Sequence, residues 1–373
     1  MNFSNEQSLA LLSISNWIKE KNKPIFRVFG YAGTGKTTLA KYIAQEVDGL
    51  VLFVSYTAKS AHMLSCKGTD NASTIHSLIY RLEKKDESIH PTTGKKDNKL
   101  HFVINEHSKI KRAKLVIIDE CSMINRKIAE DLLSFGVPIL LLGDPAQLPP
   151  IEGDGFFINE PPDILLTEIH RQAKESSIIL LSEYIRKGGR LTYGNYGDVE
   201  VIKYNDFDKQ QLLLADQILV GSHASRNKSN QLMRQFNNMN SPYPAVNDKL
   251  ICCSNSFEKD FFNGSLWQVT ELLETKDDNA ISMKIDAQDE DRTDVKISLS
   301  KSFFNPNFIK KSNLSKKKYD DFDYGYALTV HKAQGSQWNN ICLFDESYFF
   351  KENSHKWLYT AITRAVKKLT IIK

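Results

Sequence analysis

The segment Gly30-Tyr31-Ala32-Gly33-Thr34-Gly35-Lys36-Thr37 constrains this chain more than any other. It has the form G-x-x-x-x-G-K-T. It follows an apolar run at 25–29 and opens a helical pattern at 38–46. A strand, a glycine-rich turn and a helix in that order aim several backbone N–H groups at one anion, with the helix N-terminus behind them. Gly30, Gly33 and Gly35 supply the tight backbone, and Thr34 and Thr38 belong to the same cradle. Lys36 is suited to the β- and γ-phosphates of a nucleoside triphosphate, and the Thr37 hydroxyl to Mg2+.

Such a loop needs a carboxylate for the metal. The apolar run 115–118 ends in Asp119-Glu120. Asp119 is the candidate to hold Mg2+ through water, and Glu120 the candidate base for the attacking water. A further apolar run, 138–142, leads into Gly143-Asp144-Pro145-Ala146-Gln147. The neutral amide of Gln147 can touch both a γ-phosphate and a water without competing for the metal.

Short apolar runs bounded by turn residues and followed by helical patterns predict buried parallel strands. They recur at 50–54, 218–220, 340–344 and 369–372, with 359–368 read as helical. Two α/β cores are expected, one on each side of about residue 165. Two stretches break the pattern. Residues 80–105 are polar and lysine-rich (Lys84, Lys85, Lys95, Lys96 and Lys99), with flanks at 78–80 and 100–104 that can pair as a hairpin. Residues 262–319 alternate apolar and polar positions, as half-buried antiparallel strands do, and end in a lysine run at 310–318.

Composition narrows the class. Apolar residues at 41% and charged residues at 25% suit a globular protein of several domains. The net charge of +4 is too mild to announce a nucleic-acid partner by itself. No apolar run reaches the ~18 residues of a membrane span. The N-terminus has no basic head of a signal peptide. The five cysteines form no C-x-x-C pair. A cytoplasmic protein with no membrane partner is expected.

GYAGTGKTT, IIDECSMI and GDPAQLPP, followed by TEIHRQ at 167–172, YALTVHKAQGSQW at 326–338 and YTAITRA at 359–365, together resemble superfamily 1 helicases. The string YALTVHKAQGS is similar to the RecD/Dda branch, the 5′-to-3′ DNA helicases. The resemblance runs from Gln7 to Arg364. It implies an α/β fold with two tandem RecA-like P-loop cores and ATP between them. The first core would be 1–79 with 106–164, carrying a small β-hairpin insertion at 80–105. The second would be 165–261 with 320–373, carrying an SH3-like β insertion at 262–319. The insertions are short beside the Dda pattern, with no tall tower to brace a strand-splitting wedge near His90-Pro91.

The resemblance also assigns residues. Gln7 would read the adenine edge. Arg171 and Arg364 would reach the γ-phosphate, where a guanidinium stays charged and planar. Gln334 and Gly335 would link the second core to both ATP and DNA. Contacts to single-stranded DNA would come from Thr57, Ala58 and Lys59; from Thr74 and His76; from Thr329, His331 and Lys332; and from His223 and Arg226. The implied activity is an ATP- and Mg2+-dependent DNA helicase acting on single strands and on junctions of single- and double-stranded DNA. It would work as a monomer in a bacterial or phage-infected cell, with single-strand-binding, replication or recombination proteins as partners. One alternative is the motor subunit of a helicase–nuclease complex. Another is a DNA-binding protein with a relic ATP site, against which every catalytic position is filled.

Overall fold

The computed structural model describes residues 3–66, 68–69, 72–84, 100–149, 155–169, 175–256, 259–288, 291–304 and 318–373. The chain divides into two compact units, Met1–Ala173 and Lys174–Lys373.

The first unit opens with α1 (Asn5–Glu20), β1 (Ile25–Gly30), α2 (Lys36–Glu46), β2 (Val51–Ser55), α3 (Ala58–Cys66), β3 (Ser73–Thr74) and α4 (Ile75–Ile79). It continues through β4 (Tyr80–Lys84), β5 (Leu100–Ile104), β6 (Leu115–Asp119), α5 (Arg126–Leu133), β7 (Ile139–Gly143) and β8 (Ile164–Leu166). Six strands make one parallel sheet in the order β3-β2-β6-β7-β1-β8. Alternate residues of a strand point to opposite faces, and both faces are covered here. Phe26, Val28, Leu115 and Ile117 pack with Ala10, Ile14 and Trp17 of α1 and with Leu39 and Ile43 of α2. Ile25, Phe29, Val116 and Ile118 pack on the other face with Ile75, Leu78 and Ile79 of α4 and with Ile128 and Leu132 of α5. Two-sided burial is why these strands are unbroken apolar runs.

The expected division at 164/165 moves to Ala173. Val28, Phe29 and Gly30 pair in parallel with Ile164, Leu165 and Leu166, which keeps β8 in the first sheet. The expected hairpin flank at 78–80 shifts too. Leu78 and Ile79 close α4 and are buried in the core, so pairing starts at Tyr80↔Ile104 and runs to Lys84↔Leu100. Residues 85–99, with the wedge expected at His90-Pro91, lie outside the described residues, as does the 310–317 part of the second lysine run.

The second unit runs through α6 (Ser177–Arg186), β9 (Gly194–Tyr196), β10 (Val199–Ile202), α7 (Lys209–Leu213), β11 (Gln217–Val220), α8 (His223–Phe236) and β12 (Lys249–Cys252). Then come β13 (Leu266–Leu273), β14 (Ala280–Ala287), β15 (Val295–Ser300), β16 (Phe322–Tyr324), β17 (Ala327–Thr329), β18 (Trp338–Phe344), α9 (Ser354–Ile362) and β19 (Ala365–Ile372). One sheet has the order β17-β11-β18-β19-β10-β9, parallel except at its β9 edge. Residues 365–368, expected to be helical, begin β19 instead. Trp338 pairs with Ala365 and Asn340 with Lys368, and this pairing ends the helix at Ile362.

The second sheet of this unit is antiparallel, in the order β15-β14-β13-β12-β16. It takes in Lys249–Cys252 and Phe322–Tyr324, so it extends past the expected 262–319 on both sides. Its core centres on Phe261, Trp267 and Phe322, with Phe261 edge-on to both partners at 5.3 and 5.2 Å. A buried ion pair fixes its base. Arg234 of α8 donates to both oxygens of Asp248 at 3.0 and 3.2 Å, and Tyr326 and Ala245 also donate to that carboxylate.

Candidate functional site

In an open parallel sheet, ligands bind beyond the carboxyl ends of the strands. In the first unit four neighbouring strands, β6, β7, β1 and β8, deliver Asp119, Gln147, the Gly30–Thr37 loop and Thr167 to the same edge.

The loop is shaped for an anion. Gly33 and Gly35 are left-handed, with φ of 79° and 78°, where a side chain would be strained. Gly35 caps α2 without a side-chain partner, so the first amides of the helix point outward from a glycine turn. A Cβ on Gly30 would sit 2.6 Å from Thr34 Oγ1 and 2.9 Å from Leu166 Cβ. Thr34 is buried and its hydroxyl donates to Tyr31 O at 2.8 Å. Lys36 Nζ curls back to donate to Gly30 O at 2.6 Å and Tyr31 O at 3.0 Å. Thr38 lies in the first turn of α2.

Thr37 Oγ1 donates to Asp119 Oδ2 at 3.2 Å, which joins the loop to the end of β6. Burial pushes the Asp119 carboxyl up, the Glu120 charge pushes it further, and the Lys36 charge opposes both. Glu120 has φ 54°, a left-handed conformation costly for a residue with a side chain. Its N–H donates to Asp119 Oδ1 at 2.9 Å.

Among the described residues three buried side-chain oxygens at this edge have no hydrogen-bond partner: Ser55 Oγ at the end of β2, Ser122 Oγ just beyond β6, and Gln147 Oε1 just beyond β7. Buried polar atoms are nearly always satisfied. Their clustering on adjacent strands around Asp119 fits a site that a ligand completes. Among the described residues no group of three or more His, Cys, Asp or Glu could hold a metal alone. The donor set of Thr37 and Asp119 fits a divalent cation that shares its ligands with phosphates and water.

Gln7 is buried, but its amide is engaged at both ends. Oε1 accepts from Ser4 N at 3.1 Å in a capping box, and Nε2 donates to Thr34 O at 3.0 Å. Arg171 lies outside the described residues.

The remaining first-unit candidates sit at helix starts. Thr57 Oγ1 accepts from Ser60 N at 3.1 Å ahead of α3, whose first residues are Ala58 and Lys59. Thr74 Oγ1 accepts from Ser77 N at 3.1 Å and caps α4. His76 lies among Tyr56, Tyr80 and Phe102 at 6.0, 5.6 and 6.2 Å, and burial lowers its pKa.

In the second unit the candidates fall at opposite ends of one sheet. Thr329 closes β17, with His331 and Lys332 just beyond it, and His223 begins α8 just past the end of β11. Thr329 Oγ1 accepts from Lys332 N at 3.4 Å, and Lys332 Nζ lies 3.9 Å from Cys253 Sγ. The His331 ring is 5.5 Å from that of Phe350, and burial lowers its pKa. Burial also lowers the pKa of His223, with Arg226 and Lys332 adding to the effect and Asp323 opposing it. Arg226 is tied to Asp323 at 2.9 Å.

Arg364 precedes β19, at the other end. It is buried, and its guanidinium meets Thr360 O, Ser336 O and the Thr363 hydroxyl at 3.1–3.3 Å. Among the described residues these partners are all neutral. Arg234, the other buried arginine here, has a buried carboxylate. A buried cation without a counter-charge is costly and suits an anion that arrives as a ligand. Buried Gln334 and left-handed Gly335, with φ 76°, lie on the segment that runs from Thr329 to Trp338, and Trp338 N donates to Arg364 O at 3.0 Å.

Two acids escaped the sequence reading. Glu6 holds the backbone of Thr167 and Glu168. Glu346 Oε2 accepts from Gly221 N at 2.6 Å and Ser222 N at 3.1 Å, ahead of α8. Glu6 carried a local signal, an acid in the first turn of a capped helix, but that ordinarily reads as a complement to the helix dipole.

The parallel sheet and the glycine turn that hands the chain from β1 to α2 define a P-loop nucleotide-binding protein of the α/β class. The family AAA_30, an AAA domain, matches residues 13–206, more than half of the chain, and a UvrD-like helicase C-terminal domain matches 324–372. The chain therefore belongs to the AAA_30 family, among the superfamily 1 helicases of RecD/Dda type. It is 25% identical over 368 residues to the ATP-dependent RecD2 DNA helicase of Deinococcus radiodurans, covering 90% of this chain and 45% of that protein. It is 35% identical over 143 residues to the ATP-dependent DNA helicase dda of Enterobacteria phage T4, covering 36% and 30%. The chain thus matches less than half the length of either relative. The Pif1 helicase from Bacteroides, solved with ADP-AlF3 and single-stranded DNA, shares the fold with a TM-score of 0.58 at 20% identity, over 100% of this chain and 92% of that one. Among the described residues no helix is long and apolar enough to cross a membrane.

Proposed function

We propose that the chain is an ATP-dependent 5′-to-3′ single-stranded DNA translocase and helicase. The observation that carries the ATPase is the grouping at one sheet edge of Lys36, the Thr37–Asp119 bond and Gln147 Oε1, which is buried without a partner among the described residues. The likeness to RecD2 and Dda, both ATP-dependent DNA helicases, supports the DNA substrate, and the resemblance carried by YALTVHKAQGS supports the polarity.

Lys36 leaves its two carbonyls for the terminal phosphates of ATP. Thr37 and Asp119 would hold Mg2+, which supplies charge neutralisation on the phosphates when bound. Gln147 Oε1 accepts from the attacking water, and Glu120 takes its proton. By resemblance, Arg364 and Arg171 are assigned the supply of positive charge for the transferring phosphoryl group.

In the second unit one continuous segment, from Thr329 through Gln334 and Gly335 to Trp338, spans the sheet from the DNA candidates to Arg364. A shift in Arg364 on phosphate binding is passed along this segment to Thr329, His331 and Lys332. Thr57, Ala58, Lys59, Thr74, His76, His223 and Arg226 complete the strand contacts, through hydroxyls and amides that hold phosphates without reading sequence. The β4–β5 pair is assigned as the wedge insertion, and the five-stranded antiparallel sheet as the SH3-like one.

Steady-state ATP hydrolysis with and without single-stranded DNA, at two salt concentrations, tests this reading. Hydrolysis should rise on adding DNA, and the half-saturating DNA concentration should climb steeply with salt. A rate indifferent to single strands would overturn it.

A further inference from the structure

The carboxylate of Glu6 accepts three hydrogen bonds from residues 161 and 162 positions away. Oε2 takes Thr167 N at 2.7 Å and Glu168 N at 2.8 Å, and Oε1 takes the Thr167 hydroxyl at 2.6 Å. Burial raises the pKa of this group, but the three bonds outweigh burial and hold it below the usual glutamate value. Thr167 directly follows Leu166, the last residue of β8. Leu166 is what the phosphate loop leans on: Tyr31 N donates to its carbonyl at 3.4 Å, and its Cβ blocks any side chain at Gly30. The next residue of α1, Gln7, holds the loop at Thr34 O. Consecutive residues of one helical turn thus brace both halves of the loop, Gln7 directly and Glu6 through Thr167 and Leu166.

We propose that Glu6 is a positioning residue for the nucleotide site, fixing the end of β8 so that the Gly30–Thr34 turn is preformed before a phosphate arrives. It touches neither nucleotide nor reacting atoms. The proposal rests on the loop being a nucleotide site. A preformed loop avoids the ordering cost that binding otherwise carries. Its loss therefore appears in affinity more than in turnover at saturation.

The test compares Glu6→Ala and Glu6→Gln with the wild type by titration with a fluorescent ADP, alongside KM and kcat for ATP. Glutamine can keep all three partners. Its carbonyl oxygen accepts the two amides, and its NH2 donates to the Thr167 hydroxyl. Alanine strands both amides. Glu6→Ala should bind ADP about tenfold more weakly and raise KM similarly with kcat within about twofold, and Glu6→Gln should restore both. ADP binding unchanged in Glu6→Ala, while the wild type binds, would overturn the positioning role, as would Glu6→Gln as impaired as Glu6→Ala. A wild type that binds no ADP would overturn the nucleotide site itself.

Discussion

Thr37 Oγ1 donates to Asp119 Oδ2 across 3.2 Å, joining two residues 82 positions apart at the carboxyl ends of strands in one sheet. The residue before Thr37, Lys36, turns its amine back onto the carbonyls of Gly30 and Tyr31. Lys36→Ala should therefore lower ATP turnover by about 10²-fold or more while the thermal midpoint holds. Hydrolysis rates and a melting curve on the same preparation check this. Normal hydrolysis in the variant would remove the loop from the site.

Gln147 couples function to a structural cost. Its Oε1 is buried without a partner among the described residues, and such an atom costs about 1–3 kcal/mol. Gln147→Leu, which keeps the approximate shape and removes the acceptor, should leave stability unchanged or raised while turnover falls. Denaturant unfolding beside kcat measurements separates the two. A variant that loses stability and keeps its rate would make Gln147 a packing residue.

The two buried arginines of the second unit should respond in opposite ways to the same change. Arg234→Met strands Asp248, a fully buried carboxylate, and should cost about 3–5 kcal/mol. Arg364→Met removes a cation whose partners among the described residues are neutral oxygens, so stability should change little while ATP turnover falls about 10³-fold. Unfolding curves and hydrolysis rates for the pair check the contrast.

Glu6 gives a pH dependence of known sign. Its pKa is lowered in the folded chain from 4.5, so its contribution is fully present above the unfolded value and is lost as pH falls through the folded one. Wild type should exceed Glu6→Ala in thermal midpoint at pH 7, and the gap should close as pH falls through the acid range below 4.5. A gap that stays constant over that range would detach it from the carboxylate.

What was legible in the sequence was contiguous. The phosphate loop, Asp119-Glu120 and Gln147 each follow a buried strand whose apolar run announces it, so a few adjacent residues carry both the element and the chemistry. β8, β10 and β17 are three or four residues long and have no pattern of their own; pairing with β1, β19 and β11 makes them strands. Residues 365–368 follow helix α9 with no glycine or proline between, and only pairing with β18 turns them into strand. Glu6 and Glu346 act on backbone amides more than 120 positions away, and nothing local to either acid records those partners.

The claim that this chain walks 5′ to 3′ on single-stranded DNA is tested most directly by unwinding with ATP. Duplexes with a 5′ DNA tail, a 3′ DNA tail or a 5′ RNA tail are compared for the wild type, with Lys36→Ala as control. The 5′ DNA tail should support strand separation, the 3′ tail should not, and Lys36→Ala should separate neither. Unwinding from the 3′ tail alone, or from the RNA tail in preference to the DNA tail, would contradict the account.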